Sequence, residues 1–289
     1  MDDPVLHPMR LLKMGRRDAF YNMGLDEALL EAVSRGASPP VLRLYGWSPP
    51  AVSVGYFQGL TEEIDLEACK RHGVDVVRRI SGGGAVFHQA EVTYSIVMPL
   101  THPLAGNTIQ ESYETLCRGV IRGLDLLGVS SRFIPVNDII SGERKISGNA
   151  QTRRLGCLLQ HGTVLLENEV DLMFELLRVP SEKLKGKIIR DVKDRITSLK
   201  LLLGRPVSFP EAEDALAEGF RQALSLEFIP DFPQGDIGGM APFRPLGSDP
   251  TPPIPRGEGG AALPAGEEEQ RARELAAEKF SSPEWIFKR

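Results

Sequence analysis

From about residue 74 to residue 166 the chain reads as short β-branched and aromatic runs arranged in hairpin-like pairs around one long helix, and that pattern constrains the fold most. Parallel neighbours need a crossover of a dozen residues or more, so strands joined by brief turns pair antiparallel. Runs over 74–79, 92–98, 138–150 and 157–166 supply the strands, with a tight turn at Ser141 and Gly142. Earlier runs over 41–46 and 51–55 read as two more, joined through Ser48, Pro49 and Pro50. The helix carries Ile109, Tyr113, Leu116, Val120, Leu124 and Leu127 at spacings of three and four, closed by Gly128. Shorter helical patterns lie over 62–72, 170–178, 209–224 and 267–280. Another starts at an Asn22 cap, has Asp26 and Glu27 in its first turn, shows Leu25, Leu29, Ala32 and Val33 on one face, and stops at Gly36. The predicted fold class is α/β of the α+β type: a mixed, largely antiparallel sheet with helices packed outside it.

Residues 1–230 are long enough for one substantial core. Residues 231–266 hold eight Pro and eight Gly with few large apolar residues, which predicts a flexible insertion. Residues 267–289 then read as a short helix and a tail that folds back, with Trp285 and Phe287 as anchors. Lys plus Arg number 34 against 39 Asp plus Glu, a net charge of −5, which argues against a general nucleic-acid partner. No run of apolar residues is long enough to span a membrane, and no secretory leader is legible. Cys69, Cys117 and Cys157 are too widely spaced for a zinc site and odd in number for a disulfide framework, so reduced thiols and a cytoplasmic location are expected.

Two segments carry polar chemistry where packing alone does not ask for it. The first, Arg78-Arg79-Ile80-Ser81-Gly82-Gly83-Gly84-Ala85-Val86-Phe87-His88, combines backbone N–H groups that admit an anion closely with two guanidinium donors. It has neither the Gly-Lys-Ser/Thr of a Walker loop nor a helix after it, and a structural tight turn satisfies the same residues. The second places Asn137, Asp138, Lys145, Ser147, Asn149 and Gln151 in a strand hairpin that such residues suit poorly. Lys145 could hold a carboxylate and a phosphate there; an exposed hairpin lysine is the plainer alternative. His161, in the apolar strand before Gly162 and Thr163, and His88 read either as site residues or as hydrogen-bonded core histidines.

Arg78 to His88 resembles the arginine and triple-glycine signature of lipoate-protein ligases, and Lys145-Ile146-Ser147-Gly148-Asn149-Ala150 resembles their lysine signature. The strand around His161-Gly162-Thr163 is similar to the one that follows in that family. Residues 272–285, ARELAAEKFSSPEW, resemble the end of short archaeal-type ligases. The resemblance implies the biotin/lipoate ligase catalytic fold and a two-step reaction in which ATP, with Mg²⁺, activates lipoate or octanoate as an acyl-adenylate. A lysine of a lipoyl carrier, a glycine-cleavage H-like protein or a 2-oxoacid dehydrogenase E2-type domain, then displaces AMP. Carried onto this sequence, Arg79 and the backbone of Gly83, Gly84, Ala85, Val86 and Phe87 would bind the nucleotide. Asn137 and Asp138 would line the adenylate, Asp138 helping to place Mg²⁺ that arrives with ATP rather than at a fixed protein site, and Lys145 would be catalytic. Arg78, His88, Ser147, Gly148 and His161 are secondary candidates. Val52, Val54, Tyr94 and Ile96 are the candidate acyl groove by alternation. Short ligases of this type can require a separate accessory domain protein.

Glu91 to Ser95 and Gln151 to Arg153 look more like the monomeric octanoyltransferases, which move octanoyl from acyl carrier protein through a cysteine thioester. Those enzymes carry the nucleophilic cysteine shortly before the lysine hairpin. Residues 129–140 contain none. Cys117 and Cys157 are expected to be buried and inert, and Cys69 to lie near a helix end on the surface. A non-catalytic homologue that binds lipoyl proteins is the remaining alternative.

Overall fold

In the computed structural model, which describes residues 5–178, 185–229 and 264–288, β1 (His7–Arg17) leads into α1 (Ala19–Ser34), β2 (Val41–Trp47) and β3 (Ala51–Val54). Next come α2 (Leu60–Glu63), α3 (Leu66–Arg71), β4 (Asp75–Arg78), β5 (Val86–His88) and β6 (Glu91–Pro99). After α4 (Ile109–Leu126) follow β7 (Arg132–Ile134), β8 (Asp138–Ser141), β9 (Arg144–Arg154) and β10 (Cys157–Leu165). The described chain continues with α5 (Val170–Leu176), α6 (Lys185–Arg195), α7 (Leu199–Leu203), α8 (Phe209–Ala223) and β11 (Leu226–Ile229), then α9 (Gly266–Leu275), a π-helical turn (Ala276–Phe280) and α10 (Pro283–Ile286). Most of the Pro/Gly-rich stretch over 231–266 lies outside the described residues. No helix among those described is long and apolar enough to cross a membrane.

Eight strands form the main sheet in the order β11-β1-β2-β6-β10-β9-β8-β7. Only β11–β1 and β1–β2 are parallel, and every other neighbouring pair is antiparallel, so the expected mixed, largely antiparallel sheet is what the chain builds. A second sheet, β4-β3-β5, stands apart from it. The chain turns between β2 and β3 as expected, but the two do not pair. Every residue of both strands is buried, so each needs cover on both faces, and sending β3 into the second sheet provides it.

Alternation along β6 fills two cores. Val92, Tyr94, Ile96 and Met98 face α4 and α8, while Val97 joins a cluster with α1 and α9 on the opposite side. The helices α4 and α8 approach closely enough that a Cβ added at Gly219 would lie 2.2 Å from the Gly123 nitrogen.

The first helix begins three residues before the expected Asn22 cap: Asp18 is the cap and accepts from the Tyr21 N–H at 2.8 Å. Asn22 lies buried inside α1 and donates to the Gly46 carbonyl at 3.0 Å. Asp26 is likewise mid-helix, ion-paired with the buried Arg43 at 2.8 Å, and serves that cation rather than the helix dipole. The reason is that α1 is buried on nearly all sides, between the sheet and α9, so its polar residues must find internal partners. Cys69 is 1% exposed rather than on the surface, because α3 packs that side of itself into the cluster containing Val52 and Val54.

At the α1–α9 contact a Cβ on Gly24 would sit 2.4 Å from the Ala272 carbonyl oxygen. Backbone cannot rotate aside as a side-chain tip can, so Gly24→Ala should destabilise the fold by about 1–3 kcal/mol, the usual range for overpacking. Urea unfolding of the two proteins measures this, and an unchanged midpoint would show that the spacing of the two helices is not set at this residue.

Candidate active site

A cavity of about 310 Å³ opens where the second sheet meets β9 and β10. The run from Gly83 to Phe87 lines one side, Lys145 to Ala150 of β9 and His161 to Thr163 of β10 another, and Met23, Tyr45, Trp47, Leu165 and Met173 add apolar surface. None of Val52, Val54, Tyr94 and Ile96 lines it. Val52 and Val54 pack against α2 and α3, and Tyr94 and Ile96 face α4 and α8. Their chain neighbours Ser53 and Thr93 line the cavity instead. Alternation gives two faces to a strand, and the opposite face carries the site.

Lys145 projects into the cavity from a β-bulge: β9 advances two residues, Lys145 to Ser147, while β8 advances one, Ile140 to Ile139. Such a bulge re-aims a side chain. Its ammonium lies 2.7 Å from Asp138 Oδ1, both side chains being partly exposed. Asp138 does not itself line the cavity; it holds Lys145 from the neighbouring strand. A Cβ at Gly148 would meet Lys145 Cε and Nζ at 2.8 Å, so glycine there makes room for the lysine. Ser147 lines the cavity with its hydroxyl buried and unpartnered among the described residues. Asn137 also lines it, but its amide is engaged with the Asn149 carbonyl while Asn149 Nδ2 donates to the Asn137 carbonyl at 2.9 Å.

The two arginines of the glycine loop point different ways. Arg79 is buried and donates from Nη2 to the Gly82 and Gly84 carbonyls at 2.8 and 2.7 Å, and from Nη1 to the Ser53 carbonyl and Oγ at 3.1 and 3.0 Å. Burial pulls its pKa down to about 10. Arg79 also lines the cavity, so its guanidinium shapes the loop from within the wall of the site. Gly83 has φ +94°, and a Cβ at Gly55 would lie 2.0 Å from its carbonyl oxygen, so glycine is required at both positions. Arg78 is outside the cavity lining. It donates to carbonyls of Gly55, Tyr56 and Gln58 and, across the molecule, of Trp285 and Ile286. Its nucleotide-binding candidacy gives way to a structural role.

Both histidines line the cavity within relays. His161 Nδ1–H donates to Asp26 Oδ2 at 3.2 Å, which leaves Nε2 to accept from the Ser81 hydroxyl at 2.6 Å. His88 stacks on Trp47 at 4.0 Å and bridges Ser53 (2.8 Å) to Glu91 (2.7 Å). Because Arg79 is donor-only, Ser53 Oγ accepts from it and gives its own proton to His88 Nε2, so His88 Nδ1–H faces Glu91. This second relay joins the glycine loop to β6, and sequence reading missed Ser53 and Glu91. Two small or acidic residues inside otherwise apolar strands were the available signal.

With this geometry in hand, residues 18–221 match the family model described as the lipoyl protein ligase A/B catalytic domain. The chain belongs to that family. Similar relatives include the octanoyltransferase LipM of Geobacillus kaustophilus, 35% identical with 97% of this chain and 98% of that one covered, and LipM of Symbiobacterium thermophilum, 40% identical over 76% of this chain and 88% of that one. Among solved structures, a bi-partite lipoate protein ligase of the archaeal lipoylation system of Thermoplasma acidophilum superposes with a TM-score of 0.77 at 27% identity, covering 97% of this chain and 96% of that one. A lipoate-protein ligase A bound with ATP gives 0.74 at 26%, covering 98% and 99%.

The cysteines stand apart from the cavity. All three are buried and none lines the cavity. Burial pushes the thiol of Cys69 up to about 11 and that of Cys117 up to about 12, and raises that of Cys157. Thiols so placed are poor nucleophiles.

The histidines give a pH test. Burial holds His161 below its ordinary value, with Asp26 opposing only in part. Burial likewise lowers His102 to about 4, helped by the neighbouring His7. A histidine whose folded pKa lies below its unfolded one binds fewer protons when folded, so stability rises with pH across the interval between the two values. Unfolding midpoints should therefore fall as pH drops from about 6.5 toward 4, the window in which these two histidines charge on unfolding. In Asp26 burial acts upward, but the His161 hydrogen bond and the Arg43 charge outweigh it, and its contribution is lost only at pH below its ordinary 3.8. A double His102→Gln, His161→Gln variant should show a flatter profile between pH 7 and 5; an undiminished slope would assign the loss to other groups.

Proposed function

We propose that this enzyme joins lipoate or octanoate to ATP as an acyl-adenylate and passes the acyl group to a lysine of a lipoyl carrier domain. The observation that carries the reading is a cavity with a lysine on a bulge, a glycine loop opposite it and no cysteine anywhere on its lining. In the first step a carboxylate oxygen bonds the α-phosphorus and pyrophosphate leaves. In the second the carrier amine bonds the acyl carbon, AMP leaves with the bridging oxygen, and the amine gives up a proton. Charge accumulates between the acyl carboxylate and the α-phosphate, where the Lys145 ammonium is the mobile cation available. Ser147 supplies a buried hydroxyl without a partner among the described residues, which suits an oxygen-rich ligand. Arg79 acts by fixing the loop that faces the nucleotide. Mg²⁺ would enter with ATP, with Asp138 the carboxylate beside Lys145.

A second reading, octanoyl transfer from acyl carrier protein, is favoured by the likeness to LipM proteins, which for that of Geobacillus kaustophilus extends over 97% of the chain. It requires transfer without a thiol in the cavity.

Intact mass of a lipoyl domain separates the readings, with incubation either in lipoate plus Mg-ATP or in octanoyl carrier protein. Because one structural relative is a bi-partite ligase, a second protein component is supplied in parallel reactions. The adenylate reading expects modification in the first arm, retained within about twofold by a Cys69→Ala, Cys117→Ala, Cys157→Ala triple variant. Modification only in the second arm, abolished by one of those substitutions, would establish the transferase. Lys145→Ala should slow adenylate formation by roughly two to three decades, the scale of one lost transition-state contact. Lys145→Arg should not restore it, since a planar guanidinium is a poor replacement for a point charge between two anions. A folded Lys145→Ala protein that forms adenylate at the wild-type rate would remove the lysine from the mechanism.

A further inference from the structure

Away from the cavity, the loop after β3 and the C-terminal tail meet in an exposed aromatic patch. Phe57 is 85% exposed and Phe287 51% exposed, while Leu155, at the β9–β10 turn, is 60% exposed. These are large apolar residues left in water. Tyr56 packs edge-on against Phe57 and Trp285, with ring centroids at 4.9 and 5.7 Å. Lys288 stands 4.8 Å over the Tyr56 ring and donates to its hydroxyl at 2.9 Å. Arg154 is near enough to join Lys288 in drawing the Tyr56 phenol below its ordinary value, the Lys288 hydrogen bond being the larger cause. Neither cation is matched with a carboxylate among the described ion pairs, on a chain whose net charge is −5. By contrast Lys279, also over Trp285, is neutralised by Glu27 at 2.7 Å.

The patch is tied to the site by rigid elements. Gly55, two residues before Phe57, abuts the Gly83 carbonyl on the cavity side. Arg78 binds the 55–58 loop and the 285–286 tail with the same guanidinium. Strand β9 runs from Ala150 on the cavity lining to Arg154 at the patch, about 13 Å at strand rise. The patch and the cavity lining are thus built on shared elements a short distance apart.

We infer that the surface formed by Tyr56, Phe57, Arg154, Leu155, Phe287 and Lys288 docks the acyl-accepting carrier domain, through a carrier face that is acidic with an apolar centre. Exposed aromatics desolvate well at an interface centre, and unpaired cations at its rim select an oppositely charged partner and speed encounter. The inference rests on the proposed acyl transfer for the partner's identity, but its test does not require turnover.

The experiment has a binding arm and a kinetic arm, both with the full chain. A lipoyl domain of net negative charge, its acceptor lysine changed to glutamine, is titrated calorimetrically into wild type, Phe57→Ser and the double Arg154→Glu, Lys288→Glu variant. Each variant should weaken binding by about tenfold or more, the loss on removing a strong anchor, and the wild-type affinity should fall with salt more steeply than that of the charge variant. In the kinetic arm KM for the unmodified carrier rises while pyrophosphate release with lipoate and ATP is unchanged. Equal affinity in all three proteins, absence of binding to wild type, or a parallel loss of pyrophosphate release would overturn the docking assignment. Patch-dependent binding without any adenylate formation in wild type would leave docking standing and sink the adenylate reading, so the two failures are distinguishable. Patch-dependent binding to phosphatidylglycerol vesicles in place of the carrier would reassign the surface to a membrane.

Discussion

The site depends on two adjacent guanidinium groups that are buried against carbonyl oxygens instead of carboxylates. A buried cation is costly unless its donors are satisfied, and a guanidinium offers five of them in a fixed plane. Arg79 uses its fork to hold the Gly82 and Gly84 carbonyls and the Ser53 residue of β3 in one arrangement. Arg78, one residue earlier, points the other way and fastens the 55–58 loop to the C-terminal tail. The glycine loop is thus held directly by Arg79 and indirectly by Arg78, through the 55–58 segment whose Tyr56 N–H donates to the Ser81 carbonyl at 2.9 Å.

That grip sets the geometry on which the proposed chemistry rests. Across the cavity from the loop, the bulged Lys145 is paired with Asp138 and has the room that Gly148 leaves it, so on the proposed reading it is the cation on a movable stem that meets substrate beside the fixed Arg79. The two histidine relays, through Ser81 and Asp26 and through Ser53 and Glu91, tie the loop and its supporting strand to α1 and β6. Relatives similar over most of the chain include octanoyltransferases, yet the thiols here are sealed in cores. A family likeness therefore carries the fold and the acyl-carrier context, while the identity of the activating group rests on what lines the cavity.

Much of this was readable in the sequence, for stated reasons. The long period-3.6 stripe of α4, the β8–β9 hairpin turn at Gly142 and the odd polar content of β9 are local signals, and each marks an element that exists. The parity of a strand is not local: whether Val52 or Ser53 faces the cavity depends on where the second sheet docks. Arg78 could not be read either, since its partners lie 207 and 208 residues away. The start of α1 was missed because Asn22 and Asp26 look like cap and dipole partners until the helix is known to be buried all round. Cys117 was legible as a core residue from its stripe, whereas the burial of Cys69 needed the docking of α3.

The central claim is that the acyl carboxylate is activated on ATP, and isotope transfer reports on that bond directly. With lipoate labelled by ¹⁸O in both carboxylate oxygens, Mg-ATP, carrier domain and any second protein component, the account predicts that each modified carrier is accompanied by an AMP molecule containing one ¹⁸O. Carrier modified without AMP release, or AMP released without label, would contradict it.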